Sequence, residues 1–290
     1  MSDYDAWLSR GERVVVPLQG SERGIFTRVE GAGPWCTLLH GFPTSSFDWH
    51  RVWGALVARR RLLTFDFLGF GDSDKPSDHD YSIHEQADLT ELVWAGCGVE
   101  TTALVAHDYG VSVAQEILAR QADGRLRVRV ERAVFLNGGL YPELHRPQPA
   151  QLLLLDPERG PEIAKLVSEE TFSRSLLPTF SPQHLPSAAD LGAAWQSVAR
   201  RGGSTIGHRL IRYIRDREKH RDRWVGALEN AAVPLGFVWG MLDPVSGAHM
   251  AEGIAKGQPS AEIVRLDDVG HWPQLEAPEV VAAHLVRMLG

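Results

Sequence analysis

Two rhythms of apolar and polar positions run along the chain. Residues 35–39, 61–65, 101–106, 129–136, 235–239 and 262–266 are short runs of strand length, several of them continuously apolar as buried strands are. Between and after them, residues 83–94, 111–120, 247–256 and 278–289 carry apolar positions at helical spacing. Residues 14–18 and 24–29 read as an opening hairpin. Repeated strand–helix alternation predicts right-handed crossovers and an α/β fold: a mostly parallel eight-stranded sheet with helices on both faces and its chemistry at the carboxyl ends of the strands.

The rhythm breaks at residues 141–223, which are rich in proline, helical in pattern and without a convincing strand. Loops longer than about 12–15 residues are uncommon in a compact domain, so this stretch is expected to form a helical cap over the strand ends. The core would then comprise residues 1–140 and 224–290.

Composition narrows the class. Of 290 residues, 43% are hydrophobic and 23% charged, enough apolar mass for a full core. A net charge of -7 carries no basic stripe, so nucleic acid is not an expected partner. No apolar run reaches the roughly 18–20 residues that span a bilayer, and residues 1–10 lack the features of a signal peptide; the expected location is cytoplasmic. Cys36 and Cys97 show no metal-binding or C-x-x-C spacing and read as inert thiols, and neither metal nor organic cofactor is called for.

The chemistry is announced by residues 104–110, an apolar strand that ends in Ala106, His107, Asp108, Tyr109, Gly110 and turns at once into a helix. Small residues on both sides of a sharp strand-to-helix turn mark a nucleophile elbow, and here its centre is aspartate. A carboxylate at that point attacks an electrophilic carbon and is left as an alkyl ester. Hydrolysis of the ester needs a base and an orienting acid. His271 follows the last strand and Asp243 the one before it, on the same sheet edge, and His40 to Pro43 follows the strand 35–39. Four elements thus fall on successive strand ends in the order of the α/β-hydrolase triad. Taken singly, Asp108 also suits a helix N-cap, Asp243 a turn, and His271 a loop histidine. Ser112, in a near match to G-x-S-x-G, is a rival nucleophile, but it lies one helical turn past the strand end.

HGFP at 40–43, DFLGFGDS at 66–73, HDYG at 107–110, Asp243 and Gly270-His271 together resemble the α/β-hydrolases with an aspartate nucleophile, the epoxide hydrolases and haloalkane dehalogenases. Longer runs, HGFPTSSFDW at 40–49, YSIHEQA at 81–87, LNGGLYPELHRP at 136–147 and RWVGAL at 223–228, look most like the mesoderm-specific transcript proteins. In this fold the backbone N–H groups of Phe42 and Tyr109 would form the oxyanion hole. The dehalogenases hold the departing halide with an asparagine and a tryptophan where this chain has Phe42 and Tyr109, so the resemblance points to an epoxide hydrolase giving vicinal diols. It implies a cap tyrosine as proton donor; Tyr213 fits by position, though it also suits cap packing, and Tyr141 is the other cap tyrosine. His40, Pro43, Trp49, Tyr141 and Trp272 are expected around the pocket, with Trp195 a further candidate. A small apolar epoxide and water would be the reactants, and the protein a monomer or homodimer. A dehalogenase with an unusual halide site, and a catalytically silent binding protein of the same fold, are the other readings.

Overall fold

The computed structural model describes residues 2–290. Eight strands form one sheet: β1 (Glu12–Leu18), β2 (Ser21–Glu30), β3 (Trp35–Leu39), β4 (Arg61–Phe65), β5 (Thr101–His107), β6 (Arg129–Leu136), β7 (Leu235–Gly240) and β8 (Glu262–Leu266). Their spatial order is β1-β2-β4-β3-β5-β6-β7-β8, antiparallel for the first three and parallel from β4 onward. The apolar runs of β3 and β5 occupy its centre, where both faces are covered; β1, at the edge, leaves Val15 65% exposed.

Helices α1 (Asp3–Leu8), α2 (His50–Val57), α3 (Ile83–Cys97) and α4 (Tyr109–Ala122) accompany the first half of the sheet. The capping chemistry of α3 is local: Ser82 accepts from the Glu85 N–H at one end, and Gly98 takes a left-handed φ of 68° at the other. Between β6 and β7 lie only helices: α5 (Pro149–Leu155), α6 (Gly160–Lys165), α7 (Glu169–Leu176), α8 (Ala188–Ala199), α9 (Gly207–Leu210), α10 (Tyr213–Lys219) and α11 (Arg221–Glu229), with short 3-10 turns. After β7 come α12 (Ala248–Gly257), α13 (Pro273–Glu276) and α14 (Pro278–Leu289).

Two apolar layers sandwich the sheet. One packs α3, α4 and α11 with Trp94, Trp224 and Phe135; the other packs α2 and α14 with Trp53, Leu56 and Leu285. A separate small cluster joins Phe172, Leu176 and Phe180 of the helical insertion to Trp272, which fastens the insertion beside the end of β8. Sequence periodicity had not marked α1 or α2, both short and tied to their neighbours by aromatic contacts such as Trp7 against Trp53. Among the described residues no helix is long and apolar enough to cross a membrane.

Candidate functional site

β5 enters the elbow through the centre of the sheet, and Asp108 sits at its apex with φ 44° and ψ -102°, a conformation strained for any residue with a Cβ. The turn is tight because α4 begins on the next residue and the Gly110 N–H donates to the His40 carbonyl at 3.0 Å. A Cβ on Gly110 would stand 2.5 Å from the Leu39 carbonyl oxygen, so only glycine fits. Although Asp108 occupies the N-cap position of α4, its side chain makes no capping bond. Its Oδ2 instead accepts the Phe42 N–H at 3.0 Å, and its own N–H donates to the Asn137 carbonyl at 2.9 Å. This is the geometry of a presented carboxylate rather than of a cap.

Asp243 lies past the end of β7 and is buried. Its carboxylate accepts the Val245 N–H at 2.7 Å, the Ser246 hydroxyl at 2.6 Å, the Asn137 amide at 2.9 Å and His271 Nδ1 at 2.8 Å. Burial by itself would raise its pKa, but the imidazole and these donors hold it well below the usual carboxylate range. The reciprocal shift falls on His271: burial opposes its charge, yet Asp243 and then Asp108 outweigh that and lift it to about 9. His271 is pinned from both sides, its N–H donating to the Thr179 carbonyl at 2.8 Å and its carbonyl facing His107 Nε2 at 2.8 Å. Burial, followed by the charge of His271, pushes His107 down to about 4, so that imidazole is neutral at physiological pH.

The strand ends are not all neighbours, contrary to the sequence reading. β6 lies between β5 and β7, and β4 pairs on the far side of β3. The gap is filled by Asn137, directly after β6, whose amide donates to both Asp243 Oδ2 and the Gly240 carbonyl while its oxygen accepts the Gly240 N–H. The sequence reading had missed Asn137, whose place between Asp108 and Asp243 follows only from the position of β6 between β5 and β7. Arg217 was missed as well, four residues after Tyr213 and so on the same face of α10.

Asp108 and His271 line one cavity of about 300 Å³, whose far walls come from the insertion, among them Leu154, Ile163, Phe172 and Leu210. Phe42, Pro43 and Trp272 line it too. Five expected residues do not. His40 is fully buried, its Nε2 accepting the Phe67 N–H, so it braces the loop below the cavity. Trp49 lies wholly in the core layer with α2, and Trp195 packs against Phe172. Tyr141 turns away toward α12, its ring and hydroxyl against Gly253 and Gly257. Tyr213 is buried behind the wall, its ring 5.0 Å from Tyr109 and 5.8 Å from Phe42. Ser112 also stands behind Asp108, taken up by the Nε of Arg217 at 2.7 Å. Among the described residues no three His, Cys, Asp or Glu side chains gather in a way that could hold a metal ion.

A carboxylate at a strained elbow, one oxygen held by a backbone N–H, beside an imidazole oriented by a second carboxylate, is equipped for two-step hydrolysis. The comparisons bear on the family and the fold. The chain is 43% identical over 259 residues, 89% of either chain, to the putative hydrolase LipZ of Mycobacterium tuberculosis. It is 41% identical over 257 residues, 86% of this chain and 77% of the other, to the mesoderm-specific transcript homolog protein of Homo sapiens. Among solved structures, the epoxide hydrolase CorEH superposes with a TM-score of 0.75 at 20% identity, covering 96% of this chain and 98% of that one. A haloalkane dehalogenase DbeA variant from Bradyrhizobium elkanii does so with 0.76 at 21%, over the same shares. Residues 38–284, from the end of β3 to within α14, match the model of the alpha/beta hydrolase family, and with the sheet order and these relatives they make this chain a member of it.

Proposed function

We propose that the protein hydrolyses epoxides through an alkyl ester on Asp108. The observation that carries this reading is the disposition of Asp108: Oδ2 is held by the Phe42 N–H, its side chain lies on the wall of an apolar cavity, and His271, oriented by Asp243, shares that wall. Oδ1 attacks an epoxide carbon, the C–O bond breaks, and the electron pair goes to the ring oxygen. That oxygen needs a proton. Tyr213 stands behind the wall, whereas His271 lines the cavity and, with a pKa near 9, carries a proton at neutral pH. We therefore assign the proton transfer to His271, which becomes the neutral base for the second step. It then takes a proton from water as the water oxygen attacks the Asp108 carbonyl carbon, and the oxyanion forms against the N–H groups of Phe42 and Tyr109. The acyl C–O bond breaks, the leaving oxygen takes the remaining proton of the water-derived hydroxyl, the diol leaves, and both the carboxylate and the imidazolium are restored.

Epoxide is favoured over halide because positions 42, 109 and 272, beside Asp108, offer no free side-chain N–H. Phe42 presents a hydrocarbon ring, Tyr109 is turned in among Phe67, Phe70 and Tyr213, and the indole N–H of Trp272 is already spent on the Thr179 hydroxyl at 2.8 Å. The test is the variant His271→Gln incubated with styrene oxide. Alkylation should continue slowly, water supplying the proton, while hydrolysis stops, so that peptide mass spectrometry finds a substrate adduct on Asp108. An adduct on Ser112, or full turnover by Asp108→Asn, rules the mechanism out. Halide release from a haloalkane panel that outpaces diol formation would transfer the reading to a dehalogenase.

A further inference from the structure

Arg217 is 1% exposed, one of the largest wholly buried side chains in the molecule. It comes from α10 of the insertion and reaches the elbow of the core, where Nη2 donates to the Asp108 carbonyl oxygen at 2.8 Å and Nε to the Ser112 hydroxyl at 2.7 Å. Its guanidinium also lies over the ring of Tyr213, 4.5 Å from the centroid. Among the described residues its single ionic contact is Nη2 to Asp108 Oδ1, at 3.6 Å. A guanidinium stays charged throughout the range in which proteins work, and a buried charge without a counter-charge is costly. Arg217 is thus balanced by the one carboxylate that the proposed mechanism alkylates.

The distance matters as much as the pairing. At 3.6 Å the guanidinium is beyond hydrogen-bond range of Oδ1, so it balances the charge while leaving the lone pairs of that oxygen free, and Oδ2 is the oxygen already held by the Phe42 N–H. Ester formation removes the negative charge and strands the cation. Hydrolysis returns negative charge to the same carboxyl group, first on Oδ2 in the tetrahedral intermediate and then in the carboxylate, where the oxygen from water takes the place of Oδ1.

We propose that Arg217 is a positioning residue that drives the second half-reaction: its buried charge, unpaired in the alkyl-enzyme, disfavours the ester against the hydrolytic transition state. This rests on the Asp108 ester reading. A merely structural arginine would hold the elbow in place in both half-reactions alike, whereas a charge partner slows hydrolysis selectively when it is lost.

The experiment is rapid-quench intact-protein mass spectrometry with styrene oxide on wild type, Arg217→Gln, Arg217→Met and Arg217→Lys, with His271→Gln as the trapping control. Both neutral variants should hydrolyse the adduct at least tenfold more slowly while forming it within about threefold of the wild-type rate, so that the ester accumulates at steady state. Arg217→Lys, which keeps a cation, should restore hydrolysis to within about threefold. Accumulation in the lysine variant to the same degree as in the neutral ones overturns the proposal, as does equal slowing of both steps or unchanged hydrolysis in the neutral variants. If the neutral variants fail to fold, the lysine variant decides: hydrolysis slowed tenfold or more overturns the role of the charge, and hydrolysis near the wild-type rate supports it. Should no adduct on Asp108 be found in His271→Gln or in any Arg217 variant, it is the ester mechanism that has failed, a result distinct from any of these.

Discussion

At the scale of single residues, the closest decision in the molecule is how Asp108 is held. One oxygen is fixed by the Phe42 N–H, the other stands 3.6 Å from the Arg217 guanidinium, and the backbone between them is in a strained conformation. Such strain persists only where surrounding contacts over-determine the position, and here they include the Asn137 carbonyl on the Asp108 N–H and Arg217 Nη2 on its carbonyl. The charge pairing has a consequence for stability that is separate from turnover. Asp108→Asn keeps the shape but leaves Arg217 buried and unpaired, and should cost about 3 kcal/mol, the usual penalty for breaking a buried pair from one side. Adding Arg217→Met removes the stranded charge. The double variant should therefore be more stable than the sum of the single losses implies, with a coupling energy of about 2 kcal/mol in urea unfolding. Simple additivity would mean that the two charges do not interact.

At the scale of elements, the site is assembled by strands that all point the same way and by turns that must be tight. Gly110 permits the β5–α4 junction to close under the Leu39 and His40 carbonyls. Gly110→Ala drives a methyl group into main chain that cannot move aside as a side chain would. It should destabilise by about 3 kcal/mol, the upper end for overpacking, and abolish activity by tilting the elbow; a thermal melt and an activity assay on one preparation check both. This junction was legible in the sequence because its constraints are local: a continuously apolar strand, small residues at both sides of the turn, a helical pattern beyond. β3, β4, β6 and β8 were legible within their exact bounds for the same reason. What could not be read were features decided by which strands lie side by side. Asn137 became visible only once β6 was found between β5 and β7, and Trp49, Tyr141 and Tyr213 were placed at a pocket they do not line because helix packing sets where an aromatic ring points. Arg217 was hidden for a related reason, since an arginine in a helical stretch dense with arginines reads as a solvated face until the packing buries it.

At the scale of the whole molecule, a single proton on His271 links folding to catalysis. Its folded pKa of about 9 stands above the ordinary 6.5, so the folded state holds this proton more tightly than the unfolded chain. The resulting stability is fully present below pH 6.5 and is lost as the pH rises through about 9, an effect on the order of 3 kcal/mol at most. Asp243, held below its usual range, stays ionised throughout that window and adds no slope of its own. Lys75 does add one: burial pushes its ammonium from 10.5 down to about 8, a shift as large as that of His271 and opposite in effect, so stability gains by a comparable amount as the pH rises above 8. The Lys75 contribution is common to wild type and His271→Gln, and the difference between their urea midpoints isolates the histidine. That difference should shrink steadily between pH 6.5 and 9.5. The same proton is the one donated to the epoxide oxygen in the first half-reaction, so kcat/KM should fall about tenfold per pH unit above 9, in step with the lost stability. Were Tyr213 the donor, the outcome would differ, because burial raises its phenol beyond the ordinary 10.0 and kcat/KM would then stay level from pH 9 to 10. A stopped-flow profile of diol formation across pH 8 to 10.5, set beside the unfolding midpoints, distinguishes a shared proton on His271 from an independent one on Tyr213.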